Sequence, residues 1–349
     1  MIELTTDGIS LSFDPAIGQI VRFTVFDDSR EISPLHQAPW VGTGEDLPDG
    51  IAPHLKTLGG DFFCAPFGKE QDGAPLHGWP ANSNWSIDHQ SDHFVRAKLD
   101  RQVNGASLVK EIELRPGEPF VYQRHTFIGG SGDIEVSNHA NVAIPDSGLI
   151  RTSEKQFWTT PAEPLETDPA LGRSGLTYPA RSKNPQKFPA SGGTADLTSF
   201  PWFPEQEDFV IGLEASGHQL GWTAVTRPAQ GDLFLSLRDA RSLPMTMLWH
   251  SNGGRDYPPW SGRHFGCLGV EEGVCASLIS SYGQNPPFVS GSISLANEKS
   301  STVCHVIGAI AWSCEEAVRS VTQLPDQIVV TGDEGTRRKI PFRGLWPVI

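Results

Sequence analysis

Apolar and polar residues alternate in short runs along this chain, with glycine and proline gathered between the runs. Residues 9–13 (ISLSF), 20–25 (IVRFTV) and 94–99 (FVRAKL) each place apolar side chains on one face of an extended backbone, because successive strand side chains point to opposite faces. Residues 108–114, 120–128 and 134–142 repeat the pattern. A second group follows at 209–215, 220–225, 233–237 and 245–249, and 303–311 is apolar enough for a central strand. With 36 glycines, 28 prolines and only 19% charged residues, the chain favours many strands and turns over helices. The expectation is an all-β fold: one large antiparallel sandwich, residues 1–349 as a single domain, with one or two short helices.

Two stretches break the alternation. Residues 153–204 are rich in Pro, Gly and Ser, with prolines at 161, 164, 169, 179, 185, 189, 201 and 204. A long irregular segment inside a compact domain is more often functional than a boundary, so a crossover or lid is expected here. Near the end, Ser313-Cys314-Glu315-Glu316 has capping-box spacing and predicts a short helix over 317–321. Residues 328–331 and 338–342, on either side of Gly332-Asp333-Glu334-Gly335, read as a closing hairpin. No internal repeat is visible.

Lys+Arg 27 against Asp+Glu 41 gives a net charge of −14. That argues against nucleic acid or an anionic membrane as partner and reads most simply as solubility. Cys64, Cys267, Cys275, Cys304 and Cys314 form no CxxC pair, which suits free thiols in a reducing compartment. Residues 1–8 have neither the basic nor the apolar part of a signal peptide. No run approaches the roughly eighteen apolar residues of a membrane span. The expectation is a soluble cytoplasmic protein; its oligomeric state is not legible.

Three short segments carry chemistry. The first runs from Gly59-Gly60-Asp61-Phe62-Phe63-Cys64-Ala65-Pro66-Phe67-Gly68 to Leu76-His77-Gly78-Trp79, where paired glycines and a proline mark a sharply turning backbone. A histidine beside glycine there can project into a cleft, although an isolated His-Gly pair is ordinarily just a surface feature. The second is Val136-Ser137-Asn138-His139-Ala140-Asn141. On a strand, Ser137, His139 and Asn141 share a polar face, turned either to solvent or to a cleft. The third, Leu268-Gly269-Val270-Glu271-Glu272, ends an apolar strand in a carboxylate whose partial burial would raise its pKa toward a useful base. Two imidazoles and a carboxylate make an acid–base set for neutral pH. Between them, residues 249–264 concentrate Trp, Tyr, Arg, Asn and His around Arg255, Trp260 and His264, the residue types that hold sugar C–H faces and hydroxyls. GxGxxG, GxxxxGK[ST], GxSxG and HExxH words are missing, which leaves nucleotide, serine-hydrolase and zincin chemistry without a foothold.

In order and wording these segments resemble the aldose 1-epimerase (galactose mutarotase) family, with a local likeness to its glucose-6-phosphate 1-epimerase branch. The resemblance spans Gly59 to Glu271. It implies a galactose mutarotase-like β-supersandwich that interconverts the α and β anomers of a free hexose without a cofactor or metal. It also implies His139 as general acid, Glu271 (with Glu272 its adjacent rival) as general base, and His77 close to the ring oxygen. Asp61, Arg255, Trp260 and His264 are the expected sugar contacts. The chain departs from the family where mutarotases carry an arginine after the paired glycines; here Asp61, Phe62 and Phe63 stand. The sugar-phosphate branch has an arginine after its His-Gly word where this chain has Trp79-Pro80-Ala81-Asn82, which weakens the case for a phosphorylated substrate. Two other classes remain open: a non-catalytic sugar-binding or sensing protein on the same scaffold, and a lyase or hydrolase. Hydrolysis ordinarily needs two carboxylates about one bond, and only one is nominated.

Overall fold

The alternating runs become strands, and the strands assemble into two large sheets. The computed structural model describes residues 1–217, 219–282, 291–312 and 315–345. Among these, an eleven-stranded sheet runs in spatial order Ile2–Thr6, Ile9–Asp14, Gln19–Asp27, Asp61–Cys64, Val136–Ala143, Cys267–Val274, Met245–Asn252, Gln206–Glu214, Lys155–Thr159 and Arg181–Ser182, with Arg30–Ile32 beside Gln19–Asp27. A nine-stranded sheet runs from Ser199–Phe200 through Gly148–Thr152, Leu220–Arg227, Asp232–Asp239, Ser300–Ala311, Phe120–Gly129, Ala106–Leu114 and Phe94–Leu99 to Trp85–Gln90. The pairings are antiparallel, as alternating strands with one buried face predict.

Period two sorts the side chains of the first sheet. Phe63, Val136, Ala140, Val142, Val210, Leu248 and Val270 face the second sheet, where Leu108, Ile112, Phe127, Val225, Phe234 and Ile307 meet them in one core. Each such Leu, Ile, Val or Phe contributes roughly 1.5–3 kcal/mol by leaving water. The opposite face carries Phe62, Cys64, Phe209, Ile211, Met245, Met247, Trp249 and Cys267. Loops cover that face, so it becomes a second apolar layer rather than a wet surface.

Two expectations change. The helix foreseen over 317–321 is a strand, Val318–Leu324, paired with Gln327–Gly332; residues 313 and 314 of the capping word lie outside the described residues. β-Branched Val318, Val321 and Thr322 pack in a sheet at lower rotamer cost than in a helix, and pairing decides the outcome. The expected hairpin is present, with Gln327–Gly332 antiparallel to Arg337–Pro341. Residues 153–204 are less irregular than their prolines suggest, because Lys155–Thr159 is a full member of the first sheet. The helices are short: Pro53–Lys56, plus 3-10 turns at Trp79–Ala81, Pro185–Lys187 and Ala276–Tyr282. Among the described residues no helix is long and apolar enough to cross a membrane.

A charged network lies between the sheets. Arg238, fully buried, pairs with Glu272 at 2.8 Å and with Glu214, and gives further hydrogen bonds to Thr246 Oγ1 (2.8 Å) and the Leu243 carbonyl (2.8 Å). Glu272 accepts from Thr223 Oγ1 at 2.6 Å and Thr246 Oγ1 at 2.9 Å. Removing one partner of a buried pair strands the other charge at a cost of about 3–5 kcal/mol. Arg238→Met should therefore lower unfolding free energy by about that much in urea titration. A loss below about 1 kcal/mol would show that this network does not hold the sheets in register.

Candidate active site

A cavity of about 840 Å³, part of it open to solvent, sits on the outer face of the first sheet, with His54, His77, His139, Trp249, Arg255 and Glu271 among its lining. Its floor comes from neighbouring strands. His139 and Glu271 are directly opposed in the antiparallel register, and His139 Nε2 lies 3.2 Å from Glu271 Oε1. Glycine makes room for the carboxylate: a Cβ at Gly269 would stand 2.8 Å from Glu271 Oε1 and 3.0 Å from Trp249 Cβ. Phe62, across the neighbouring strand pair, stacks on the His139 ring with centroids 4.5 Å apart.

His77 arrives on a loop. It has φ 70° and Gly78 has φ 75°, left-handed conformations that cost a non-glycine residue free energy. At Gly78 a Cβ would meet the Ala65 carbonyl oxygen at 2.0 Å, so only glycine closes this turn. The turn sets the His77 ring edge-on to His139 at 5.4 Å and to His54 at 5.1 Å. Asn82 ties the pieces together. Its Oδ1 lies 2.8 Å from His54 Nδ1, while its Nδ2 donates to the carbonyls of Leu76 (2.9 Å) and Gly78 (2.7 Å).

Burial governs the protonation of these groups. Loss of water pushes the Glu271 carboxyl well above the ordinary carboxylate range. Burial, with the nearby His54 adding to it, lowers His139 to about 3, and His54 falls to about 4. Burial likewise takes His77 far below its usual value, with His54, His139 and Arg255 contributing. A histidine–carboxylate pair at 3.2 Å whose members both resist charge holds one proton between them. Glu271 Oε2, His139 Nδ1 and His77 Nδ1 have no hydrogen-bond partner among the described residues, an arrangement that is costly unless function uses it.

The aromatic wall depends on Glu207. This buried carboxylate accepts from Trp249 Nε1 at 2.5 Å and pairs with Arg255, whose guanidinium lies 4.6 Å over the Trp260 ring. Residues 160–180 close the rim, with Pro161, Glu163 and Leu165 lining the cavity. They are tied down where Arg173 N donates to the Gly254 carbonyl at 2.8 Å and Asp208 accepts from Gly175 N and Leu176 N.

The structure thus gathers His77, His139, Glu271, Arg255 and Trp260 around one cavity. Two expected sugar contacts are elsewhere. Asp61 precedes Phe62 on its strand, so period two turns it into the inter-sheet core, where Gln123 Nε2 donates to it at 2.5 Å. His264 lies behind the wall, stacked on Trp249 and bonded through Nδ1 to Ser251 Oγ at 2.7 Å. Glu272 is separated from Glu271 by the same alternation and faces Arg238. His54, Phe62, Trp249 and Glu207 were not foreseen as site residues. Only the crowding of aromatics near Trp249 hinted at any of them.

No family model matches the sequence, and no curated protein does. Solved structures do match in shape. A galactose mutarotase-like protein from Clostridium acetobutylicum shares 12% identity over 88% of this chain and 94% of its own, with a TM-score of 0.57. A galactose mutarotase related enzyme from Lactobacillus acidophilus shares 10% over 89% of this chain and 98% of its own, with a TM-score of 0.53. The fold is the galactose mutarotase-like β-sandwich, as the sequence resemblance implied.

One consequence concerns His139 alone. Its ring should stay neutral from pH 7 down to about pH 5 in nitrogen-15 NMR, since burial holds it far below neutrality. An inflection near the ordinary 6.5 would show a wet cavity instead.

Proposed function

We propose that the protein is an aldose 1-epimerase acting on a free, unphosphorylated hexose. The observation that carries the reading is the opposed His139–Glu271 pair at 3.2 Å on the floor of an aromatic cavity. Mutarotation needs one proton taken from the C1 hydroxyl and one given to the ring oxygen, and a pair that shares a single proton meets that count.

Sugar hydroxyls entering the cavity stabilise the tautomer with Glu271 as carboxylate and His139 as imidazolium. Glu271 takes the O1 proton, the C1 carbonyl forms, and the C1–O5 bond breaks. Its electron pair takes the proton from His139 Nε2. The pair is now the neutral tautomer, again with one proton. Rotation about C1–C2 offers the other carbonyl face, and the reverse transfers close the ring as the opposite anomer. His77, edge-on to His139, gives a polar nitrogen close to the ring oxygen. Trp249 and Trp260 take the C–H faces, and His54 and Arg255 reach hydroxyls. Among the described residues lining the cavity, Arg255 is the one Lys or Arg. Its charge is met by Glu207, which leaves none for a phosphate.

Anomer exchange by NMR on free and 6-phosphorylated aldoses tests this. Each acid or base is worth about 10²–10⁴-fold, so Glu271→Gln and His139→Ala should each lose at least about 100-fold. Free sugars should exchange faster than their phosphates. Full activity in Glu271→Gln would sink the mechanism. Sugar binding without accelerated exchange in the wild type would move the protein to a sensing role.

A further inference from the structure

Behind the aromatic wall, three metal-ligating side chains converge that the proposed reaction does not use. We infer that His36, His264 and Cys267 form a binding site for a divalent thiolate- and imidazole-seeking metal, Zn²⁺ being the best match. Their ligand atoms all lie within 4.8 Å of one another. The two imidazoles point their Nε2 atoms at each other, 3.1 Å apart. In a tetrahedral zinc site with Zn–N near 2.05 Å, that edge is about 3.3 Å. The nitrogen–sulfur edge is about 3.6 Å, against at most 4.8 Å here, so the sulfur and the imidazoles have to close by no more than about 1.2 Å.

The surroundings are built for ligation. Ser251 Oγ, 2.7 Å from His264 Nδ1, fixes the ring that presents Nε2, the outer support metal-bound histidines ordinarily have. His36 is held by its backbone: its N–H donates to the Asn141 carbonyl at 2.8 Å, and its carbonyl accepts from Gly60 N at 2.8 Å. Asn141 Nδ2 donates to the Gly59 and Gly60 carbonyls, and its Oδ1 accepts from the Cys267 thiol at 3.8 Å, a weak contact that metal binding gives up. His264 and Cys267 are buried, while His36 is half-buried and provides the entry path. On binding, the thiol gives its proton to solvent as the sulfur–metal bond forms. The fourth position is left to a solvent molecule, and the imidazole proton now shared between the Nε2 atoms moves to an Nδ1. Without metal, one imidazole N–H donating to the other holds the same three segments more loosely.

The site belongs to the scaffold, not to the reacting centre. Cys267 and Glu271 share a strand face four residues apart, about 13 Å at strand rise, and Trp249 stands between His264 and the cavity. A metal here would pin the 36–41 segment and the 253–266 loop to the sheet and hold the Trp249–Trp260 wall, against which Trp40 packs edge-on to Trp260 at 5.2 Å.

The test uses the whole chain, stripped with chelator and titrated with Co²⁺ and Zn²⁺. The expected result is one Co²⁺ per chain with a thiolate-to-metal charge-transfer band, displaced by Zn²⁺, and a melting temperature that rises with added Zn²⁺. Cys267→Ser should abolish the band. His36→Ala lies partly at the surface and should still fold; it should weaken uptake at least about 100-fold, and Ser251→Ala by about 10–100-fold. Wild type that takes up no stoichiometric Co²⁺, or takes it up without the thiolate band, overturns the assignment. Unchanged uptake in His36→Ala overturns it equally, whatever becomes of the buried-residue variants.

Discussion

The antiparallel register of Val136–Ala143 against Cys267–Val274 places His139 opposite Glu271 and Asn138 opposite Glu272. A slip of one residue would exchange the faces of every side chain on one strand, sending Glu271 into the inter-sheet core and Glu272 into the cavity. What resists the slip lies on the far face. Among the described residues Glu272 is the partner that meets Arg238 Nη1, with Thr223, Thr246 and Ser236 around it, and a slip would leave the buried Arg238 with Glu214 alone. A salt bridge of this kind adds little net stability over a hydrophobic substitute. Here it excludes the wrong register, and the adjacent glutamate is thereby committed to the cavity.

Floor and wall are held by different means. The floor residues sit on hydrogen-bonded strands, where side-chain positions follow from the backbone. The wall residues come from loops and need polar anchors: Asn82 for His54 and the His77 turn, and Glu207 for Trp249 and Arg255. Both anchors are buried and neither touches the cavity, so the strain of the His77 turn is borne by bonds outside the reacting space. Sites supported in this way keep their geometry better than loops left to their own contacts.

Much of this was legible from alternation alone. Residues 94–99 match their strand end to end, and the shared face of Ser137, His139 and Asn141 follows from period two. Alternation alone does not say which face is covered by loops and leaves solvent and cleft both open for His139; the family resemblance favours the cleft, and the 160–180 rim and the second apolar layer cover that face. Asp61 failed for the opposite reason. Its strand neighbours Phe62 and Phe63 are both buried, so the sequence carries no polar contrast to mark the cavity face. His264 sits in the right loop but one layer behind Trp249, and a cluster in sequence does not reveal depth. His54 lacked any local signal, since its role depends on Asn82, 28 residues away. The 317–321 segment shows capping chemistry yielding to strand pairing.

The apolar character of the cavity bears on the chemistry as well as on recognition. In water the ordinary values, about 4.3 for a glutamate and about 6.5 for a histidine, favour the carboxylate–imidazolium form of the pair by about two pKa units. Inside, burial raises the carboxyl and lowers the imidazole, which turns the preference toward the neutral one-proton tautomer while the cavity is empty of sugar. In the proposed reaction, ring opening converts the ionic tautomer into the neutral one and ring closure converts it back. A reversible reaction between two anomers of similar energy gains most when the hydroxyls of the bound sugar bring such a pair toward balance, because neither half-step is then uphill by much. For the proposed sugar the same dryness would strengthen each hydrogen bond, and with Arg255 already paired shape and hydroxyl pattern, not substrate charge, would select what enters.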